Sequence, residues 1–274
     1  MLKMLRSTRI GYYVTSITGA FAIIFWQLFI NNNVGMAIVL AFLWIFVVAT
    51  IFSIVAAKRI RKINTYLYNE CKPQKFVEEM EKLYNQQTEE GNKNTIRISL
   101  SAGNIDAGNL ERGKQYLDQV TPLSVKKYVD VLRQIVFFNN RATYYMRTGQ
   151  LMEAEMDLAC MQEVLKTKKL FEKNRRKYMD AYEYKKVQLG IISNQFDGAE
   201  KILKIGLERE KSMLSQVSFR YYLGLVYLHE QKMTEARECF TFVVEHGVCG
   251  DGKGKTERMH IRVKGSYSQD RCGL

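Results

Sequence analysis

The sequence predicts an all-α chain in which an N-terminal transmembrane helical hairpin is followed by a helical repeat solenoid. Three observations predict it. The first 57 residues hold no Asp or Glu, and all 28 acidic residues follow Ala57. Two long uncharged runs lie inside that acid-free stretch. Beyond it, apolar residues recur at spacings of three and four, as in "KKYVDVLRQIVFFNNRATYYM", and only two prolines occur in the whole chain, so long helices meet few breakers.

The first element is the anchor, residues 1–57. Ile10 to Ile30 is 21 residues without a charge, and Val34 to Ala57 is another 24. At about 1.5 Å per residue these give roughly 32 and 36 Å of helix, enough to cross a hydrocarbon core of about 30 Å. The expected spans are therefore 10–30 and 34–57. Lys3, Arg6 and Arg9 would suit a signal peptide, but the apolar run is too long, no small-residue cleavage site closes it, and a second span follows after "NNN".

Charge predicts the topology. Lys3, Arg6 and Arg9 precede the first span, Lys58, Arg59, Arg61 and Lys62 follow the second, and Asn31 to Asn33 carry no charge. The positive-inside rule places both termini and the repeat domain in the cytoplasm. No Asp, Glu, Lys, Arg or His lies at membrane depth to carry a proton or ion. Thr15 and Gly19 form a small-x3-small pair, which would let the spans assemble into a larger membrane complex as an alternative role.

Residues 58–246 form the expected repeat domain. "YLGLVYLHEQKMTEARECFTFV" sets Leu223, Gly224, Tyr227, Ala236 and Phe240 at L-G-x2-Y-x8-A-x3-F. Small residues at Gly224 and Ala236 would let two antiparallel helices approach, with Tyr227 and Phe240 filling the space beside them. The frame recurs at Ala142, Tyr145, Gly149, Ala154 and Leu158, at Phe196, Ala199 and Leu203, and at Gly108, Leu110, Gly113 and Leu117. With "KPQKFVEEM" around Phe76 this makes four or five helical hairpins. The second-helix markers Gly113, Ala154, Ala199 and Ala236 are 41, 45 and 37 residues apart. Thr121-Pro122 predicts the start of a helix that runs to Arg147.

The pattern resembles the tetratricopeptide repeat family, whose period is about 34 residues. The resemblance covers roughly Arg59 to Gly247 and is strongest in the last hairpin. It implies a curved stack whose first helices line a groove for a protein or peptide partner. Its groove-facing offsets fall on Asn139, Thr143, Arg147, Tyr184, Gln188, Tyr221 and Leu225. The Lys and Asn pattern of the family's carboxylate-clamp subset is not met, and the same tyrosines suit packing between hairpins.

One charge feature stands apart. "LKTKKLFEKNRRK" gathers Lys166, Lys168, Lys169, Lys173, Arg175, Arg176 and Lys177 against Glu172 alone. Such a patch on a tethered domain suits anionic lipid headgroups, or nucleic-acid phosphates, or a solvated connection between hairpins. No nucleic-acid motif accompanies it, and Phe171 and Tyr178 fit the helical period as packing residues.

No catalytic, cofactor-binding or metal residues are expected. In "CFTFVVEHGVCGDGKGKT" the glycine that a phosphate loop needs is replaced by Cys249, and Gly250 comes one residue late. His246, Cys249, His260 and Cys272 match no zinc-site spacing. The five cysteines include no C-x2-C pair, which suits free thiols. Residues 247–274 read as a Gly-rich basic tail without ordered structure, either a disordered extension or a shifted reading frame. The expected function is a non-enzymatic, membrane-tethered cytoplasmic scaffold for a protein or peptide partner, with no cofactor and no nucleic acid.

Overall fold

The structure, a computed structural model, describes residues 6–29, 34–121, 127–167 and 170–247. Every described element is helical: α1 (Arg6–Phe29), α2 (Val34–Tyr68), α3 (Pro73–Tyr84), α4 (Glu90–Ala107), α5 (Leu110–Asp118), α6 (Tyr128–Thr148), α7 (Leu151–Leu165), α8 (Glu172–Ile192), α9 (Ala199–Arg209), α10 (Met213–His229) and α11 (Met233–His246). The chain divides into two compact units, residues 1–64 with 79–93, and residues 65–78 with 94–274. The tail reading, Cys249, His260 and Cys272 lie outside the described residues, as do Lys168 and Lys169 of the basic run.

In the first unit, α1 and α2 are both long and apolar enough to cross a membrane. They pack against each other where α1 is small. Gly11 lies against the Phe52 ring and Gly19 against the Trp44 indole, whose Nε1 donates to the Thr15 carbonyl at 3.2 Å. The Thr15–Gly19 face is therefore occupied within the chain. Outward-facing Phe21, Phe25, Phe42 and Phe46 are exposed, as expected of side chains that meet lipid.

The second helix does not stop where its apolar run does. It continues from Ala57 through Lys58 and Lys62 to Tyr68, because no Gly or Pro interrupts the backbone between Gly35 and Pro73 and the helical hydrogen-bond ladder is indifferent to side-chain polarity. The predicted start at Thr121-Pro122 falls on residues that are not described beyond Thr121; α6 is described from Tyr128. Thr121 is instead held by Asn94, whose Nδ2 donates to the Thr121 hydroxyl at 2.7 Å.

The second unit repeats one device five times. After α2, α4, α6, α8 and α10 comes a residue with positive φ: Cys71, Gly108, Gly149, Asn194 and Gln231. Left-handed backbone at this position closes a helix by turning the next N–H groups back on its last carbonyls. The N–H groups of Asn109, Gln150, Gln195 and Lys232 each donate to the carbonyl five residues back, at 2.8–2.9 Å. Gly108 and Gly149 take this conformation without strain, whereas Asn194 and Gln231 do so with a side chain. Connections of so few residues force each following helix to run back beside its predecessor.

Five residues past each positive-φ residue stand Phe76, Gly113, Ala154, Ala199 and Ala236, and all five are buried. Four are small, so the paired helices approach closely. Where Phe76 replaces the small residue, Gly103 supplies the space, because a Cβ there would meet the Phe76 ring at 2.6 Å. In the last hairpin Gly224 does the same for the Phe240 ring, at 2.8 Å.

The cores join neighbouring pairs. Val131, Ile135, Leu158, Met161 and Tyr182 tie α6, α7 and α8 together, while Leu203, Phe219, Leu223 and Ala236 tie α9, α10 and α11. In both clusters apolar faces are buried between helices that follow one another in the chain. Between α6 and α7 the buried Asp157 accepts from Arg141 Nε at 2.8 Å and from Nη2 at 2.5 Å.

Candidate functional site

The first helices of successive hairpins form a row, and side chains fix its order. Arg133 on α6 donates to the Thr95 hydroxyl of α4 at 2.7 Å, and Asn140 on α6 donates to the Ile98 carbonyl at 2.8 Å and to the Ser101 hydroxyl at 3.2 Å. Farther along, Gln188 on α8 donates to the Ser218 hydroxyl of α10 at 3.4 Å. Tyr184 meets the Phe219 ring edge-on at 4.9 Å. One face of the row brings charged groups from three helices, and a tyrosine from a fourth, within electrostatic reach of one another.

Its members are Asp106 on α4, Arg147 on α6, Lys185 on α8 and Tyr222 on α10. Arg147 closes the end of α4, its Nη2 donating to the Asp106 carboxylate at 2.9 Å while Nη1 donates to the Ile105 carbonyl. Lys185 feels both of these groups. Desolvation pushes its ammonium down to about 8, opposed by the Asp106 charge and assisted by that of Arg147. Tyr222 is pushed up to about 12 by desolvation, against the pull of Arg147.

Lys185 is half-buried, and neighbouring helices desolvate its ammonium. Among the described residues it makes no hydrogen bond and no ion pair. Asp106 is already engaged by Arg147, and its charge reaches Lys185 only without direct contact. A charge held at such a cost is a mark of functional sites.

The residues expected at the groove are dispersed. Arg147 belongs to the charged face. Thr143 donates to the Asn139 carbonyl at 2.7 Å, and Asn139 Nδ2 approaches the Asn140 side chain at 3.4 Å. Tyr184 and Leu225, like Tyr222 itself, pack against the core of α8–α11, Gln188 is buried, and Tyr221 meets Tyr222 and Phe240 edge-on. Lys185 and Tyr222 stand one residue after Tyr184 and Tyr221, and one residue turns a helix by about 100°. Sequence reasoning missed them because an isolated Lys or Tyr on a helix face carries no signal until three other helices surround it.

A separate cavity of about 600 Å³ is lined by Thr121, Phe137, Phe138, Cys160 and Val164 among others. It is apolar and has no convergent charged groups. Among the described residues no three of His, Cys, Asp and Glu gather as metal ligands. No protein-family model, curated protein or solved structure gives a significant match to the chain.

Proposed function

We propose that the chain is a membrane-tethered, non-enzymatic scaffold whose helical hairpins form a tetratricopeptide-like solenoid and bind a protein or peptide partner on the face shared by α4, α6, α8 and α10. The observation that carries the reading is the Arg147–Asp106 ion pair joining α6 to α4, with Lys185 and Tyr222 desolvated within reach of its charges and Lys185 without an ion pair among the described residues. A partner group that satisfies Lys185 would recover that cost on binding.

The solenoid reading is supported by the five positive-φ closures and by the buried residue five positions after each. Spacings near 40 residues lengthen the hairpins relative to the 34-residue family period without altering the frame. The cytoplasmic side for the repeats rests on the basic flanks alone. The larger-complex reading loses its Thr15–Gly19 support, since Trp44 of the same chain fills that face.

Site-specific photocrosslinking in intact cells tests the proposal. A photoreactive side chain in place of Tyr222 is expected to capture one dominant protein, and one in place of Glu238, exposed on α11, is expected not to. Equal capture at both positions would refute the assignment of the face.

A further inference from the structure

The fold brings a second element beside the basic run. Asn174, in the first turn of α8, donates to the Tyr128 hydroxyl at the start of α6, 46 residues earlier. The Tyr128 and Phe171 rings meet with centroids 4.7 Å apart. The N-terminal ends of α6 and α8 therefore lie side by side. Tyr178 packs inward against the core of α6–α8, as its period predicts, but Phe171 does not. It is 68% exposed, and Val129 next to Tyr128 is 52% exposed.

Cations surround these two apolar side chains. Lys127 caps the start of α6 and is exposed. Lys173 and Lys177 are exposed on α8 and form no ion pair among the described residues. Arg176 is exposed and Arg175 half-buried, and both share the single carboxylate of Glu172, at 3.2 and 3.6 Å. Arg175 also donates to the Thr167 and Leu170 carbonyls, so it holds the entry to α8 and leaves the others to face outward.

We propose that the paired ends of α6 and α8 are a membrane-docking surface, in which Phe171 and Val129 enter the headgroup boundary of an anionic leaflet while Lys127, Lys173, Arg176 and Lys177 engage its lipid phosphates and carboxylates. Exposed apolar side chains gain by leaving water at a bilayer interface, and lysines beside them keep their charges at headgroup level. Each cation near an anionic leaflet strengthens attachment about fivefold. Nucleic acid would match the cations and could stack a base on Phe171, but it would leave the apolar Val129 without a complementary surface. The proposal rests on the membrane-anchor reading, because the two spans hold the patch at high local concentration near lipid. It is independent of the partner face.

The test uses the full chain in lipid nanodiscs of phosphatidylcholine, alone or with about one third phosphatidylserine. Incorporation, scored by co-elution with the disc, comes first; failure to incorporate overturns the anchor reading and this one with it. Hydrogen exchange at residues 127–131 and 171–177 is then compared. The expected result is several-fold slower exchange in the anionic discs, reversed by salt and abolished in the Lys127→Ser, Lys173→Ser, Lys177→Ser variant. Amides of α10 and α11 should be unchanged in that variant, which shows that it folds. Phe171→Ser should weaken the protection and leave its salt dependence. Equal exchange in the two discs overturns the proposal, as does protection that appears only when a homopolymeric RNA is added.

Discussion

Lys185→Met is the most informative single substitution, because it removes a charge and keeps the length and apolar stem of the side chain. The ammonium lies at about 8 rather than its ordinary 10.5 because neighbouring helices desolvate it. At about 1.4 kcal/mol per tenfold change, holding the charge costs the folded state about 3 kcal/mol at neutral pH. The variant should be more stable than the parent by up to that amount at pH 7, equivalent to a rise of about 1 M in the urea midpoint. The sign with pH is definite. Below 8 both folded and unfolded chains hold the proton and the penalty is complete. Between 8 and 10.5 the unfolded chain still binds a proton that the folded chain has released, so the parent gains stability as pH rises. The difference between parent and variant should shrink to about 1.5 kcal/mol at pH 9.5. Urea unfolding of the full chain in detergent, followed by the loss of helical circular dichroism, measures this, since the spans stay helical in the micelle. A variant no more stable than the parent at pH 7, or a difference independent of pH, would refute the desolvation argument and with it the reason for placing the site at Lys185.

Other outcomes follow from the same structure. Asp157→Ala leaves Arg141 without its bidentate partner in the α6–α7 hairpin and should cost about 2–3 kcal/mol, below the range for a fully buried pair because Arg141 retains solvent contact; the urea midpoint reads this directly. Gly224→Ala would set a Cβ at 2.8 Å from the Phe240 ring and should destabilise by about 1–3 kcal/mol through overpacking, with Gly224→Ala, Phe240→Leu recovering part of the loss. Arg147→Ala, Lys185→Met together should abolish crosslinking from position 222 while leaving helicity intact; loss of helicity would mean these groups hold the hairpins together. For the anchor, a cysteine in place of Asn32 should react with an impermeant thiol reagent in whole cells while exposed Cys160 does not, and the opposite labelling would invert the topology.

Much of the fold is legible in the residues. The two uncharged runs mark the apolar parts of α1 and α2, because length and apolarity alone decide whether a helix can cross a bilayer. The buried small residues Gly113, Ala154, Ala199 and Ala236 are legible because close helix approach excludes larger side chains at a fixed offset. The closures at Asn194 and Gln231 are less so, since neither residue favours positive φ as Gly149 does, and tertiary pairing imposes it. The continuation of α2 past Ala57 was hidden by a change in composition that the backbone ladder ignores.

The candidate site divides the same way. Periodicity places Arg147, Tyr184 and Tyr221 on first helices, but a turn of about 100° per residue means that an offset of one decides whether a side chain packs or faces outward. Tyr184 packs on Phe219, whereas its neighbour Lys185 is desolvated within the electrostatic reach of Asp106 and Arg147. The meeting of Tyr128 with Phe171 likewise joins residues more than 40 positions apart. The sequence by itself determined which segments are helical, which two can span a bilayer and where the helices pair, because these depend on local hydrogen bonding, hydropathy and spacing. Only the tertiary structure decided which charges lose their water and which aromatic side chains keep theirs, because desolvation is set by neighbours that the chain brings together from distant positions.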